Sequence, residues 1–273
     1  MNGYLSRAQI QTIVDKTRSP RLVGAAGHVF FVDGNAGDDA NPPDDASRPL
    51  LKIATALGFC VAGHDDTIIV LDCWQQETFP ITVTKDRVHI IGLDVDNGHY
   101  PMMQAPTDTA IFVIDAGSVE VAGFGLDGIS SASTHGAIEI GKTTPRMGGR
   151  IHDNWLGCTG AGAKYGIHSI TGIDMSDFVI DHNVFGAGLV TNGMLISGSF
   201  TRGKILNNLF RIATGSQGIK AAHLALGFIL SNSFSCPTNT TGIAITLDAG
   251  CVDTGALGNW GVNYKGNTLV LPA

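Results

Sequence analysis

The second half of the chain repeats a short pattern of apolar and polar positions. The motif I-x-x-N occurs at Ile151–Asn154, Ile180–Asn183, Ile205–Asn208 and Ile229–Asn232, with steps of 29, 25 and 24 residues between asparagines. A degenerate fifth copy places Asn259 27 residues further on. A bulky apolar residue stands two positions after each of the first four asparagines: Leu156, Phe185, Phe210 and Phe234. A second series runs in phase. A glycine opens a short apolar stretch at Gly136, Gly166, Gly193, Gly218 and Gly242, in steps of 30, 27, 25 and 24. Looser copies of the rung precede these, VHIIGLDV at Val88–Val95 and VEVAGFGL at Val119–Leu126. Ahead of each lies another strand-like run, Asp66–Leu71 and Ala110–Asp115.

Two or three short strands in each period of 24–31 residues mark a solenoid. The runs are too short, and Gly and Asn too frequent, for a helical repeat, and the spacing of leucine-rich repeats is absent. The pattern predicts an all-β fold, a single-stranded parallel β-helix of about seven coils stacked at the ~4.8 Å spacing of a sheet. Inside it like stacks on like, Ile over Ile and Phe over Phe. Buried asparagines are tolerated because their hydrogen-bond partners repeat with them. Glycine is expected to supply positive φ at the bends.

A solenoid needs its ends covered. SRPLLKIATALGFCVAG (Ser47–Gly63) predicts a capping helix with Ser47 or Asp45 as N-cap. No comparable helix follows the last coil, so that end is expected to be covered by another subunit or partner. Residues 1–27, with a short helix at Tyr4–Lys16 ended by Ser19–Pro20, are expected to form an attachment arm. Residues 28–273 then make up the β-helix domain.

Composition narrows the function. The chain has 273 residues, 24 acidic and 17 basic, for a net charge of −7. This argues against disorder, because charged residues are only 15%. It also argues against a nucleic-acid binder, which needs a basic face. No apolar run reaches the ~18–20 residues of a spanning helix. The five cysteines (Cys60, Cys73, Cys158, Cys236, Cys251) are irregularly spaced with no C-x-x-C, so reduced thiols are expected and no metal or cofactor is demanded. The start MNGYLSRAQIQ lacks the apolar core of a secretory signal, which predicts synthesis and folding inside a cell.

Phe31–Leu93 has a strand, a Gly/Asp-rich loop, a Pro before the capping helix, a D-T-I strand and then the first rung. In this it resembles the opening of pectin-lyase-like right-handed parallel β-helix proteins, and the asparagine rungs extend the resemblance over roughly Val29–Leu271. In character the chain is similar to phage tailspike and other virion β-helix proteins. The superfamily holds lyases, hydrolases, epimerases and non-catalytic virion proteins, so activity has to be read from the site.

Recognised polygalacturonase signatures, G-H-G and R-I-K, are absent. The pairs Asp38–Asp39, Asp44–Asp45 and Asp65–Asp66 read as solvated turn formers, with calcium binding as the alternative. Stacking IHDN on IDHN places His152 beside Asp181 and Asp153 beside His182, with Glu139, Asp174 and Asp177 as further members. Such carboxylates could serve glycoside hydrolysis at ~5–5.5 Å (retaining) or ~6.5–9.5 Å (inverting). The competing reading is a set of solvated or ladder-forming ion pairs. Arg150 and Lys204 share a column that Val179 interrupts, which speaks against a cationic groove for an acidic polymer. Trp155, Val184, Leu209, Ser233 and Trp260 are expected to point outward as a stripe. The stripe reads as an interface in a homotrimer, or Trp155 as a platform for a sugar ring.

Taken with the resemblance, these features predict a non-enzymatic structural or binding protein of a virus particle. It would be trimeric, attached to other virion proteins through residues 1–27 and able to bind a host surface glycan. The alternative is a polysaccharide lyase or glycoside hydrolase acting at His152, Asp153, Asp181 and His182.

Overall fold

The computed structural model describes residues 27–72, 77–93, 100–106, 108–127, 135–141, 146–157, 165–170, 174–186, 192–211, 216–235, 243–251, 254–262 and 269–270. The arm with its Tyr4–Lys16 helix lies outside the described residues, as do Cys73, Cys158 and Cys236.

Three parallel sheets wrap one apolar core. The first face has 11 strands, and its main path runs from Val29–Asp33 through Asp66–Asp72, Val88–Gly92, Val119–Ala122, Arg146–His152, Asp174–Asp181, Lys204–Leu206 and Phe228–Leu230 to Gly255–Leu257. The second face has 7 strands, from Met102–Gln104 to Trp260–Val262, and the third has 8, from Ile81–Val83 to Leu269–Val270. The chain visits the three faces in turn, so each strand pairs in parallel with its counterpart one turn later. This is the parallel β-solenoid read from the repeats. Its most regular part, marked by the asparagine column, is shorter than the about seven coils expected. The column stops at Asn154 because the turn before it carries Phe124 at the equivalent place, and the Phe124 N–H donates to Asn154 Oδ1 at 3.0 Å.

Like does stack on like. Ile151, Ile180, Ile205 and Ile229 lie in register, all fully buried. Leu156, Phe185, Phe210 and Phe234 form a second inward column. Each ladder asparagine after Asn154 accepts, through Oδ1, both the N–H and an Nδ2–H of the asparagine one turn earlier. Asn183 does this for Asn154 at 3.1 and 3.0 Å, and Asn208 for Asn183 at 2.9 and 3.1 Å.

Two expectations about backbone and cap are corrected. Positive φ at the bends is carried mainly by residues other than glycine. Asp153, His182, Asn207 and Ser231 have φ of 53–56°, and each immediately precedes a ladder asparagine. Glycine holds the equivalent bend only in the flanking turns, Gly123 before Phe124 and Gly258 before Asn259. The ladder fixes the backbone tightly enough to hold left-handed residues, and Asp, Asn and His tolerate that region best. The repeating glycines do another job. A Cβ on Gly193 would lie 2.6 Å from Phe210 Cδ1, and one on Gly166 or Gly218 would meet Phe185 or Phe234 in the same way. Glycine is required there because an aromatic ring occupies the space of a side chain.

The capping helix is shorter than expected, Ile53–Phe59, with Ile53, Ala56 and Leu57 turned into the core. Neither Ser47 nor Asp45 caps it. Leu50 is drawn into the first sheet instead, bridging Val32 and exchanging hydrogen bonds with Phe31 and Asp33. The N–H groups of Leu51 and Lys52 donate to Asp39 Oδ1 at 3.1 Å, and that of Ile53 donates to the Glu77 carboxylate. Asp39 is therefore a structural acceptor, not a solvated turn former. Asp66, fully buried, is another.

Candidate functional site: a charge ladder on the first face

Alternation along the first-face strands sends two neighbouring columns outward. One runs His89, Glu120, Arg150, Val179, Lys204, Phe228. The other runs Ile91, Ala122, His152, Asp181, Leu206, Leu230, Leu257. Charged residues thus dominate the N-terminal half of the face and apolar ones the C-terminal half, where Lys204 stands exposed beside Phe228.

His152 and Asp181 are in register, as the stacking of IHDN on IDHN required. Their partners differ from the crosswise pairing expected. His152 Nε2 contacts Glu120 Oε1 at 2.7 Å and its Nδ1 contacts Asp153 Oδ2 at 2.7 Å. The other oxygen of Glu120 meets His89 Nδ1 at 2.7 Å. Asp181 receives Arg150 through two bonds, at 2.8 and 2.6 Å, and His182 Nδ1 at 2.8 Å. Asp65 joins at the N-terminal end, paired with Arg87 and 3.7 Å from His89 Nε2. Asp177 is held by two bonds from Arg202 at 2.8 and 2.7 Å, Asp174 is exposed, and Glu139 lies on the third face.

Electrostatics matches the geometry. Burial alone would raise the Glu120 carboxyl and lower both imidazoles. The hydrogen bonds from His152 and His89 outweigh burial and hold Glu120 far below the usual carboxylate range. The same bonds raise His89 and His152 above their ordinary value. Burial likewise opposes the Asp181 carboxylate, but Arg150 and His182 pull it down. The arrangement suits fixing charge between turns better than moving a proton. Both oxygens of Glu120 and of Asp181 are engaged, Asp181 by the two bonds from Arg150 and by His182.

The ladder makes stability pH-dependent. Glu120 is depressed, so its contribution is present above the unfolded carboxyl range and lost as pH falls through its folded value. The two histidines are raised, so theirs is complete below the unfolded imidazole value of about 6.5 and lost as pH rises through their folded values. Stability is therefore expected to peak between about pH 5 and 6.5 and to decline toward pH 8. Urea unfolding across this range measures it, and Glu120→Gln should flatten the decline. A wild-type profile that is level from pH 5.5 to 8 would remove the ladder as a stabilising element.

Sequence reasoning passed over His89 and Glu120. The available signal was the phase of VHIIG and VEVAG, which puts both in the Arg150 column.

On the second face, Gly125, Trp155, Val184, Leu209, Ser233 and Trp260 are in register, alternating with the inward Leu156, Phe185, Phe210 and Phe234. Trp155, Val184 and Leu209 are half-buried, and the Trp155 ring lies along its own strand over Gly157 and against Gly186.

No family model matches the chain, and no curated protein matches it in sequence. Among solved structures it is similar to a GH136 lacto-N-biosidase from Eubacterium ramulus (11% identity, 96% of this chain and 70% of that one, TM-score 0.38). It is also similar to the enzymatically active domain of bacteriophage CBA120 tailspike protein 2 (11% identity, 91% of this chain and 46% of that one, TM-score 0.39).

Proposed function

We propose that this β-helix is a non-enzymatic rod of a virus particle that associates with copies of itself as a homotrimer and binds a glycan without cleaving it. Residues 1–27 would attach it to other virion proteins. The observation that carries the self-association is the apolar half of the first face. Leu257 is 71% exposed, Leu226 52% and Phe228 47%, and the half-buried Leu206 and Leu230 lie among them. A free rod has no use for such a patch, whereas side-by-side packing about a threefold axis would bury it. The occupied carboxylates of the charge ladder support a binding role over hydrolysis, and the outward Trp155 offers a face on which a sugar ring can stack.

Light scattering on the purified chain tests the assembly. The expected mass is three times 28.5 kDa, falling to 28.5 kDa in Phe228→Lys/Leu257→Lys. A wild-type mass of one chain would overturn it.

A second reading, a glycan-cleaving enzyme, is favoured by two carboxylates elsewhere. Asp127 on the second face and Glu139 on the third project outward from the same turn, yet are only 5% and 6% exposed. Depolymerisation of a bacterial surface polysaccharide that is lost in both Asp127→Asn and Glu139→Gln would establish this reading in place of the first.

A further inference from the structure

Outside the charge ladder, one cluster of ligand-bearing side chains sits at the N-terminal mouth of the solenoid. His28 immediately precedes the strand Val29–Asp33, His64 lies in the turn after the capping helix, and Asp66 opens the strand Asp66–Asp72. One nitrogen from each imidazole and one oxygen of Asp66 all lie within 4.8 Å of one another. We propose that His28, His64 and Asp66 bind a divalent transition-metal ion of the zinc class, which ties the first strand of the solenoid to the loop beneath its cap.

The donor geometry suits such an ion. Asp66 Oδ1 is 2.8 Å from His64 Nδ1 and 3.6 Å from His28 Nδ1. Nitrogen and oxygen donors each about 2.1 Å from one zinc ion stand roughly 3.0–3.5 Å apart, so these separations bracket the need. The two rings are 4.9 Å apart between centroids. Closing round an ion requires the His28 and His64 nitrogens, which lie within 4.8 Å of each other, to draw in toward that spacing.

The site is also held in place. Parallel pairing puts His28 beside Asp66, with the Thr67 N–H donating to the His28 carbonyl at 2.8 Å. The Asp66 carboxylate is fully buried and oriented by the N–H of His28 at 2.7 Å and of Val61 at 2.6 Å. These backbone donors act as the outer shell that aims a ligating carboxylate. In the metal-free protein a proton closes the His64–Asp66 contact. With an ion bound, the imidazole takes its Nε2–H tautomer and turns the Nδ1 lone pair to the metal. Two imidazoles and one carboxylate favour Zn²⁺, Ni²⁺ or Cu²⁺ over Ca²⁺ or Mg²⁺, which want oxygen-rich shells. The His28 side chain is 61% exposed, so water can complete the coordination.

The 273-residue chain, stripped with chelator, is titrated with ZnCl₂ by calorimetry, and with Co²⁺ while visible absorption is followed. The expected result is one ion per chain, and a thermal midpoint that rises on adding zinc. His28→Ala and His64→Ala should each weaken binding by about tenfold or more. Both side chains reach solvent, so the fold should survive, and circular dichroism checks this. His64→Cys, which restores a zinc ligand, should recover binding. Absence of saturable binding, or equal binding in the double alanine variant, would overturn the proposal.

Discussion

Phe210→Ala is expected to lower the free energy of unfolding by about 4–5 kcal/mol, at the upper end of what losing a buried ring costs. Phe210 is fully buried and sandwiched between two rings, Phe185 at 4.4 Å and 6° and Phe234 at 4.9 Å and 9°. Isolated aromatic pairs prefer offset or edge-on contact. Here the strand period imposes near-parallel stacking, since successive turns sit ~4.8 Å apart and the rings keep that spacing. The same constraint prevents collapse after truncation. The turns above and below are pinned by their ladders, and the backbone of Gly193 already lies against the ring, so the cavity stays open. Phe210→Leu should cost much less, about 1–2 kcal/mol, because most of the volume is kept. Contacts in a solenoid are with nearest neighbours, so lost hydrogen-exchange protection should concentrate in the turns of Phe185 and Phe234 and spare those near Val121. A midpoint shift in urea equivalent to less than about 1 kcal/mol for Phe210→Ala would mean that the column repacks.

What could be read from the sequence divides along one physical line. Where identical residues must stack, the chain repeats itself visibly. The isoleucine, phenylalanine and asparagine columns were therefore legible, together with the outward direction of Trp155. Where stacking residues must be complementary, the repeat disappears. His89, Glu120 and His152 interlock because they differ, and Arg150 reaches Asp181 one turn away, so the phase of the rungs places these residues on one face but no repeated residue type announces the network. Left-handed bends were assigned to glycine on intrinsic preference. The ladder supplies enough constraint to place Asp153, His182, Asn207 and Ser231 there instead. The aspartate pairs misled for a similar reason. Asp39 and Asp66 look like turn formers along the chain, but their acceptors serve backbone donors that the cap and the first strand bring near only in the folded rod.

Asn183→Ala carries the other large expected effect, a loss of about 3–5 kcal/mol. Asn183 is 1% exposed and joins three successive turns. Its Oδ1 accepts from Asn154 N and Nδ2, and its Nδ2 donates to Ile151 O and Asn208 Oδ1 at 2.9 and 3.1 Å. Truncation strands donors of Asn154 on one side and acceptors on the other, in a column too narrow for each to find water, and every such buried group costs about 1–3 kcal/mol. Asn183→Asp separates this account from a simple loss of volume. The introduced carboxyl keeps an acceptor for Asn154, but when ionised it sets a negative oxygen against Ile151 O and Asn208 Oδ1. The charged form is penalised both by burial and by these acceptors, so the folded pKa of the introduced group is raised. Its destabilisation should therefore be small in acid, where the protonated form can donate one hydrogen bond, and grow as pH rises through the unfolded carboxyl value of about 4. Asn183→Ala should show no such added pH dependence. Urea unfolding of both variants at pH 4 and pH 7 distinguishes the cases. Equal penalties at both pH values for Asn183→Asp would show that the column tolerates an unpaired charge and that its amides fill space rather than bind one turn to the next.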